Sequence, residues 1–234
     1  MVMRAVTDWD PEGYERWFKT PLGRMVDADE KTVFFSAANL NRGERVLDIG
    51  CGADNYTIPA GQQTGMAIGI DPSGPMVRAA QRRRQQRLEG IIYVQGTGEM
   101  LPFPDASFDV VLIVTVLCFT SNPRALLNEA HRVLRVGGRI IIGELGRYSI
   151  WAFRRRIQGI LGDPVWGQAR FHSPKDLRDL LKATRFEKAV VRGAVFYPPV
   201  SRVGFLRALH ILERSGRRLC PWAGAFLVVT ASKR

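Results

Sequence analysis

The sequence predicts an α/β domain, a largely parallel sheet covered by helices on both faces. Three observations carry that expectation. Short runs rich in valine and isoleucine recur along the chain, helical segments separate the first five of them, and glycine, proline or aspartate bounds each run. Parallel strands need long crossover connections, usually helices, so this alternation specifies a sheet held between two helical layers.

Residues 1–40 precede the first strand. Trp9, Tyr14, Trp17, Phe18, Phe34 and Phe35 give this stretch the composition of a helical, aromatic lid, or of a layer that simply covers one face of the sheet. Residues 41–234 form the main domain. Strands are predicted at 45–49, 67–70, 91–94, 110–114 and 139–142. Pro75 opens the helix that runs into Arg82-Arg83-Arg84, and Asn122-Pro123 opens a helix over 124–134 that stops before Gly137-Gly138. Residues 147–170, with Trp151, Phe153 and Trp166 among arginines, read as an insertion over the mouth of a site. Ser173-Pro174 followed by Asp176 supplies an N-cap, a first-turn proline and an acid favoured by the helix dipole, opening a helix over 175–183. Two more strand-like runs, 188–197 and 225–231, flank Pro198-Pro199 and a basic amphipathic segment at 203–215.

A chain of 234 residues with 46% apolar and 24% charged side chains has the balance of one ordinary globular domain, which excludes a disordered or fibrous protein. Its apolar runs, such as Val110-Val111-Leu112-Ile113-Val114, fall far short of the roughly 20 residues that cross a bilayer. Residues 1–10 lack the apolar core of a signal peptide, so a cytoplasmic protein is expected. Cys51, Cys118 and Cys220 are odd in number and widely spaced, and free thiols are expected. The net charge of +12 gathers at Arg82-Arg83-Arg84 with Arg87, at Arg154-Arg155-Arg156, and at Arg214 with Arg217-Arg218. Such clusters attract nucleic acid, anionic lipid or acidic substrates, or merely form solvated helix faces.

The strongest local signal is Val46-Leu47-Asp48-Ile49-Gly50-Cys51-Gly52, a buried strand that runs into a glycine turn. Glycines there permit positive φ and close approach of the backbone to a ligand, and the following helix start offers free N–H groups. By itself this turn serves a dinucleotide or another adenosine cofactor equally well. About twenty residues on, Ala67-Ile68-Gly69-Ile70 ends in Asp71, an acid placed to accept hydrogen bonds from two ribose hydroxyls. A third segment, Gln95-Gly96-Thr97-Gly98-Glu99-Met100-Leu101-Pro102-Phe103-Pro104-Asp105, leads through Ser107-Phe108-Asp109 into the fourth strand.

With these segments and with Glu129 before Arg132-Val133-Leu134-Arg135-Val136-Gly137-Gly138, the chain resembles the class I S-adenosylmethionine-dependent methyltransferases over residues 40–146. The resemblance is to the branch of methyltransferase type 11 domains that includes the ubiquinone/menaquinone-biosynthesis C-methyltransferases. It implies a Rossmann-like sheet of seven strands in the order 3-2-1-4-5-7-6, the last antiparallel, with S-adenosyl-L-methionine as cofactor and S-adenosyl-L-homocysteine as product. It implies that Asp48, Gly50, Cys51 and Gly52 lie at the methionine end of the cofactor and that Asp71 holds the ribose. Pro72 would border the adenine, and Thr97, Gly98 and Glu99 would meet its edge. Thr115 would face the methionine portion or the substrate. Two positions depart from the family pattern: Ala53-Asp54 stands where a further glycine is usual, and Thr97 where aspartate is usual. Asp54 brings a negative charge near the cofactor's carboxylate unless it turns away.

Methyl transfer needs the nucleophile in line and desolvated, and a dedicated base is optional. His172, Glu144, Tyr148 and Tyr197 are the candidate bases; His131, mid-helix, and Cys51, with no activating partner in sequence, are set aside. Three scattered histidines offer no obvious metal site. The expected partner is a small-molecule acceptor. The alternatives are an RNA acceptor drawn by the basic surface, or a protein that holds the cofactor without chemistry. A nicotinamide enzyme accounts for the first turn only.

Overall fold

The computed structural model describes residues 11–83, 90–199 and 206–234. Two helices come first, α1 (Pro11–Lys19) and α2 (Pro21–Ala38). The alternating body follows: β1 (Val46–Ile49), α3 (Thr57–Thr64), β2 (Ala67–Asp71), α4 (Gly74–Arg83), β3 (Ile91–Gln95), β4 (Phe108–Val114), α5 (Pro123–Val133) and β5 (Leu134–Leu145). The chain closes with α6 (Ile150–Ile160), α7 (Pro174–Ala183), β6 (Phe186–Ala194), α8 (Leu206–Leu219), a 3-10 turn (Pro221–Ala223) and β7 (Phe226–Lys233). The seven strands form one sheet in the order β3-β2-β1-β4-β5-β7-β6, with β7 antiparallel to both neighbours, as the Rossmann-like expectation requires.

Successive strand side chains point to opposite faces, and in this sheet both sets are buried. Leu47, Ile49, Val111, Ile113, Ile140 and Ile142 pack on one side with Leu126, Leu127 and Ala130 of α5 and Leu177 and Leu181 of α7. Val46, Val110, Leu112, Ile141 and Val228 pack on the other with Phe34 of α2, Ala60 of α3 and Leu209 of α8. A sheet buried on both faces leaves its strand ends for function. The helix starts form as their sequences dictate. The Asn122 side chain accepts from the Ala125 N–H at 3.1 Å, and Ser173 and Asp176 make a reciprocal capping box at 3.1 and 2.8 Å.

β5 is longer than expected, because Leu134 pairs with Phe108 before the register shifts and Arg139 joins Val110. Arg135 to Arg139 read as a turn around Gly137-Gly138, yet only Gly137 takes positive φ. Of the segment at 203–215, residues 206–215 lie in the longer α8 and residues 203–205 lie outside the described residues, and this helix separates the last two strands. The methyl-transferase-like run Leu101–Asp105 has a structural task. Arg132 donates to both Glu129 carboxylate oxygens at 2.7 and 2.8 Å, to Asp105 at 2.8 Å, and to the Phe103 and Leu101 carbonyls at 2.7 and 3.0 Å. Glu129 in turn accepts from the Leu101 N–H at 2.8 Å. This pair clasps the loop before β4 onto α5 and holds the guanidinium firmly charged. Among the described residues no helix is long and apolar enough to cross a membrane.

Lysine cannot reproduce this fork of donors, so Arg132→Lys should lower the unfolding free energy by about 1–2 kcal/mol, read from urea denaturation.

Candidate functional site

The loops that follow β1, β2, β3 and β4 converge on one cleft with a cavity of about 240 Å³. The first loop contributes Asp48, Gly50, Cys51 and Gly52, the second Asp71 and Pro72, the third Thr97, Gly98 and Glu99, and the fourth Thr115. The ten residues that the resemblance assigns to the cofactor therefore border one cavity. Asn55, Tyr56, Met76, Phe119, Thr120, Ser121 and Gln168 join them unannounced. Met76 follows from its place two residues into α4, beside Pro72; Phe119 and Gln168 reach the cleft only through tertiary folding.

The turn after β1 has a defined construction. Gly50 and Cys51 both donate backbone N–H bonds to the Ile70 carbonyl, at 2.7 and 3.1 Å. Asp71 then accepts from the Gly52 N–H at 2.9 Å and from the Ser73 N–H at 2.8 Å, one through each carboxylate oxygen. Gly50 (φ +73°) is packed, and a Cβ there would stand 2.3 Å from Val116 Cγ2. Gly52 (φ +52°) is open, and a Cβ there would meet nothing within 4 Å. Gly98 owes its identity to the core as much as to the cleft, because a Cβ would fall 2.7 Å from Ile49 Cγ2 and 2.9 Å from Leu126 Cδ1. Thr115, a β-branched residue at φ +52°, donates its N–H to the Gly143 carbonyl at 2.7 Å. Such backbone in a branched residue is a strained feature set beside the cleft.

The cleft is acidic inside a basic protein. Asp48 is buried, accepts from the Thr57 hydroxyl at 2.6 Å, and has its carboxyl pushed up to about 7 by burial, with Asp71 and Asp54 adding to the rise. Burial also raises Asp71, against the two N–H bonds that favour its charged form. Asp54 does not line the cavity. Its Oδ1 lies 3.6 Å from Arg83 Nη1, and Arg83 donates to the Ala53 carbonyl at 2.9 Å. The extra acid of this turn thus faces a cation of α4. Glu99 accepts a hydrogen bond from the Thr120 hydroxyl, which ties the third loop to the segment after β4. Burial and the nearby carboxylates push the Cys51 thiol well up, so it stays protonated.

None of the four candidate bases lines the cavity, which corrects the sequence expectation. Glu144 is fully buried behind the β4 loop, accepts from the Leu117 N–H at 2.7 Å, and is lifted to about 7 by burial. His172 stands behind Glu144, with Nδ1 3.8 Å from Glu144 Oε2, and burial lowers its pKa. Tyr197 donates its hydroxyl to Asp29 at 3.0 Å and accepts the Trp151 indole N–H through its carbonyl at 2.8 Å. Tyr148 is exposed and leans on Trp222, with ring centroids 6.0 Å apart. His131 packs its ring on Phe186. Of the N-terminal aromatics, Phe34 and Phe35 pack on Tyr56, and Trp17 meets Trp151 edge to face; Trp9 lies outside the described residues.

Residues 47–142 match the family model of a methyltransferase domain. An uncharacterized protein of Methanocaldococcus jannaschii is 31% identical over 236 residues, covering 97% of this chain and 98% of that one. The chain belongs to the class I S-adenosylmethionine-dependent methyltransferase family. An uncharacterized protein of Mycobacterium tuberculosis is 30% identical over 190 residues, and this chain spans 63% of that relative's length. A solved structure similar to this one is an S-adenosylmethionine-dependent methyltransferase of Thermotoga maritima described as a possible histamine N-methyltransferase. The two share 28% identity and a TM-score of 0.70 over 95% of each chain. A geranyl diphosphate C-methyltransferase of Streptomyces coelicolor shares the fold, with 16% identity and a TM-score of 0.64 over 90% of this chain and 80% of its own.

S-adenosyl-L-methionine is the family's cofactor, and the residues present fit it. Gly52 leaves open space on its backbone, Asp71 offers a buried carboxylate at the lip of the cleft, and Asp48 and Asp71 together favour a cationic ligand.

The two turn glycines should separate in their effects. Gly50→Ala combines left-handed strain with overlap at Val116 and should cost about 2–4 kcal/mol in urea unfolding. Gly52→Ala should cost about 1–2 kcal/mol from its backbone alone while still removing cofactor binding in a calorimeter.

Proposed function

We propose that the protein transfers a methyl group from S-adenosyl-L-methionine to a small-molecule acceptor held in the same cleft. The observation that carries this reading is the convergence of the four strand-end loops on one acidic cavity, with Asp71 anchored by two backbone N–H groups beside the open Gly52. In this reading Asp48, Gly50, Cys51 and Gly52 hold the methionine end, and Asp71 takes the ribose hydroxyls on its remaining lone pairs. Pro72 and Met76 border the adenine, and Thr97, Gly98 and Glu99 meet its edge. Thr115 stands between the cofactor and the acceptor. When bound, the cofactor supplies an electrophilic methyl group on a sulfonium.

The chain's contribution is orientation and exclusion of water. Tyr56, Phe119 and Gln168 close the acceptor side, and α2 supports Tyr56 through Phe34 and Phe35. In this reading α2 supports the lid and residues 147–170 form the rim of the site, while residues 1–10 lie outside the described residues. With His172, Glu144, Tyr148 and Tyr197 outside the cavity, in-line placement of an already nucleophilic acceptor is the mechanism the site supports. A small acceptor agrees with the small-molecule description of the Thermotoga neighbour.

An RNA acceptor has less support, because the cavity is lined by Asp48, Asp71 and Glu99 with no arginine or lysine among the described residues, and Arg217 and Arg155 of the basic clusters are engaged by Asp29 with Glu213 and by Trp151 with Trp166; Arg84 and Arg87 are not among the residues described.

Calorimetric titration with S-adenosylhomocysteine should give roughly micromolar affinity, and Asp71→Ala should weaken it about 30-fold, the equivalent of ~2 kcal/mol of charged hydrogen bonding. Absence of binding by the wild type sinks the proposal. Binding with no transfer of a labelled methyl group to any acceptor in a metabolite screen would leave a cofactor-holding protein instead. The sign of the pH dependence follows from Asp48. Its carboxyl ionises near 7 in the free protein, so affinity for the ammonium-bearing ligand should rise from pH 6 to pH 8, and Asp48→Asn should flatten that rise.

A further inference from the structure

We propose that the outer face of α6 and α8 docks on an anionic lipid bilayer. Fifteen large hydrophobic side chains are exposed among the described residues, and ten of them fall within 148–161 and 211–222. On α6, Ile150, Phe153, Ile157 and Ile160 recur at intervals of three, four and three, which sets them on one helical face. Trp151 and Ala152 occupy the opposite, buried face. Phe153 is 65% exposed and Ile160 83%, so the apolar stripe faces away from the core. An amphipathic helix such as α8 ordinarily buries its apolar face on the core. Leu209 does so, but Ile211, Leu212 and Leu219 stay in solvent, Leu219 at 81%.

The two helices form one surface. Tyr148, Ile150, Leu212 and Leu219 line a shared groove of about 350 Å³, and the Tyr148 ring meets Trp222. Contiguous exposed apolar area of this kind marks an interaction site.

Charge selects the occupant. Residues 147–162 contain Arg147, Arg154, Arg155 and Arg156 and no acid, and the one acid of α8, Glu213, is buried against Arg217. Arg154, Arg156, Arg214 and Arg218 are exposed and have no carboxylate partner among the described residues. A second copy seated face to face would bring eight such arginines together with no acid to pair them. An anionic membrane accepts both components: the apolar side chains enter the acyl boundary while the arginines meet lipid phosphates. Trp222 and Tyr148 have the ring chemistry of interfacial anchors. The inference stands on this surface alone and does not depend on the methyltransferase reading.

The test is co-sedimentation of the full chain with vesicles of phosphatidylcholine, with and without 30% phosphatidylglycerol. Binding is expected only to the anionic vesicles, weakening as salt rises from about 0.05 to 0.5 M. Phe153→Ser with Ile160→Ser, and separately Arg154→Glu with Arg218→Glu, should each reduce the partition coefficient at least tenfold. These positions are exposed, so thermal unfolding and S-adenosylhomocysteine binding should match the wild type. Equal sedimentation with both vesicle types, no sedimentation with either, or wild-type partitioning by both double variants would overturn the proposal. A dimer by light scattering that Phe153→Ser with Ile160→Ser makes monomeric would likewise assign the face to a second copy.

Discussion

The Asp71 carboxylate fastens the two turns on which the cleft depends. One oxygen takes the Gly52 N–H and the other the Ser73 N–H, so the ends of β1 and β2 are held at a fixed separation. The Ile70 carbonyl, one residue earlier, takes Gly50 and Cys51. Because β1 and β2 are central strands buried on both faces, neither turn can adjust by sliding its strand. The geometry of the site is thus set by backbone donors on an acid that the core keeps partly dry.

That arrangement concentrates negative charge. Asp48, Asp54 and Asp71 lie close enough to raise the Asp48 carboxyl together with its burial. The fold offsets one of the three directly, by bringing Arg83 of α4 to Asp54. The remaining acidity, from Asp48 and Asp71, faces the cleft. The departure from the family pattern at Asp54 therefore has a local solution, and it lies in a side chain nearly thirty residues away.

The links among α2, α6 and α8 are built by different means. Tyr197 links α2 and α6 by donating to Asp29 and accepting from Trp151, and Arg217 of α8 reaches the same Asp29. Arg155 lies 4.4 Å from the Trp166 ring centroid and 5.2 Å from that of Trp151, which draws the 147–170 segment down to where Gln168 borders the cavity. Several arginines of the cationic sequence are consumed in such links, Arg132, Arg139 and Arg147 among them. The formal charge of +12 is consequently a poor guide to the charge a ligand meets.

The sequence by itself determined the alternation of strands and helices, the glycine turn after β1 and the acid after β2, because each rests on local chemistry, burial periodicity or a turn's need for positive φ; the strand order and the third loop followed only from the family resemblance. It also marked Glu129 and Arg132, without revealing that they clasp the loop before β4. The extent of β5 was hidden, since Gly137-Gly138 has the composition of a turn and only pairing with β4 keeps the chain extended. Tertiary structure alone decided which polar groups reach the cavity. His172, Glu144 and Tyr197 are as suitable in chemistry as any base, but packing sets His172 beside Glu144 and gives the Tyr197 hydroxyl to Asp29, all outside the cavity. It also decided that the apolar stripe of α6 faces outward: periodicity shows that a helix has an apolar face, and only the packed fold shows whether anything covers it.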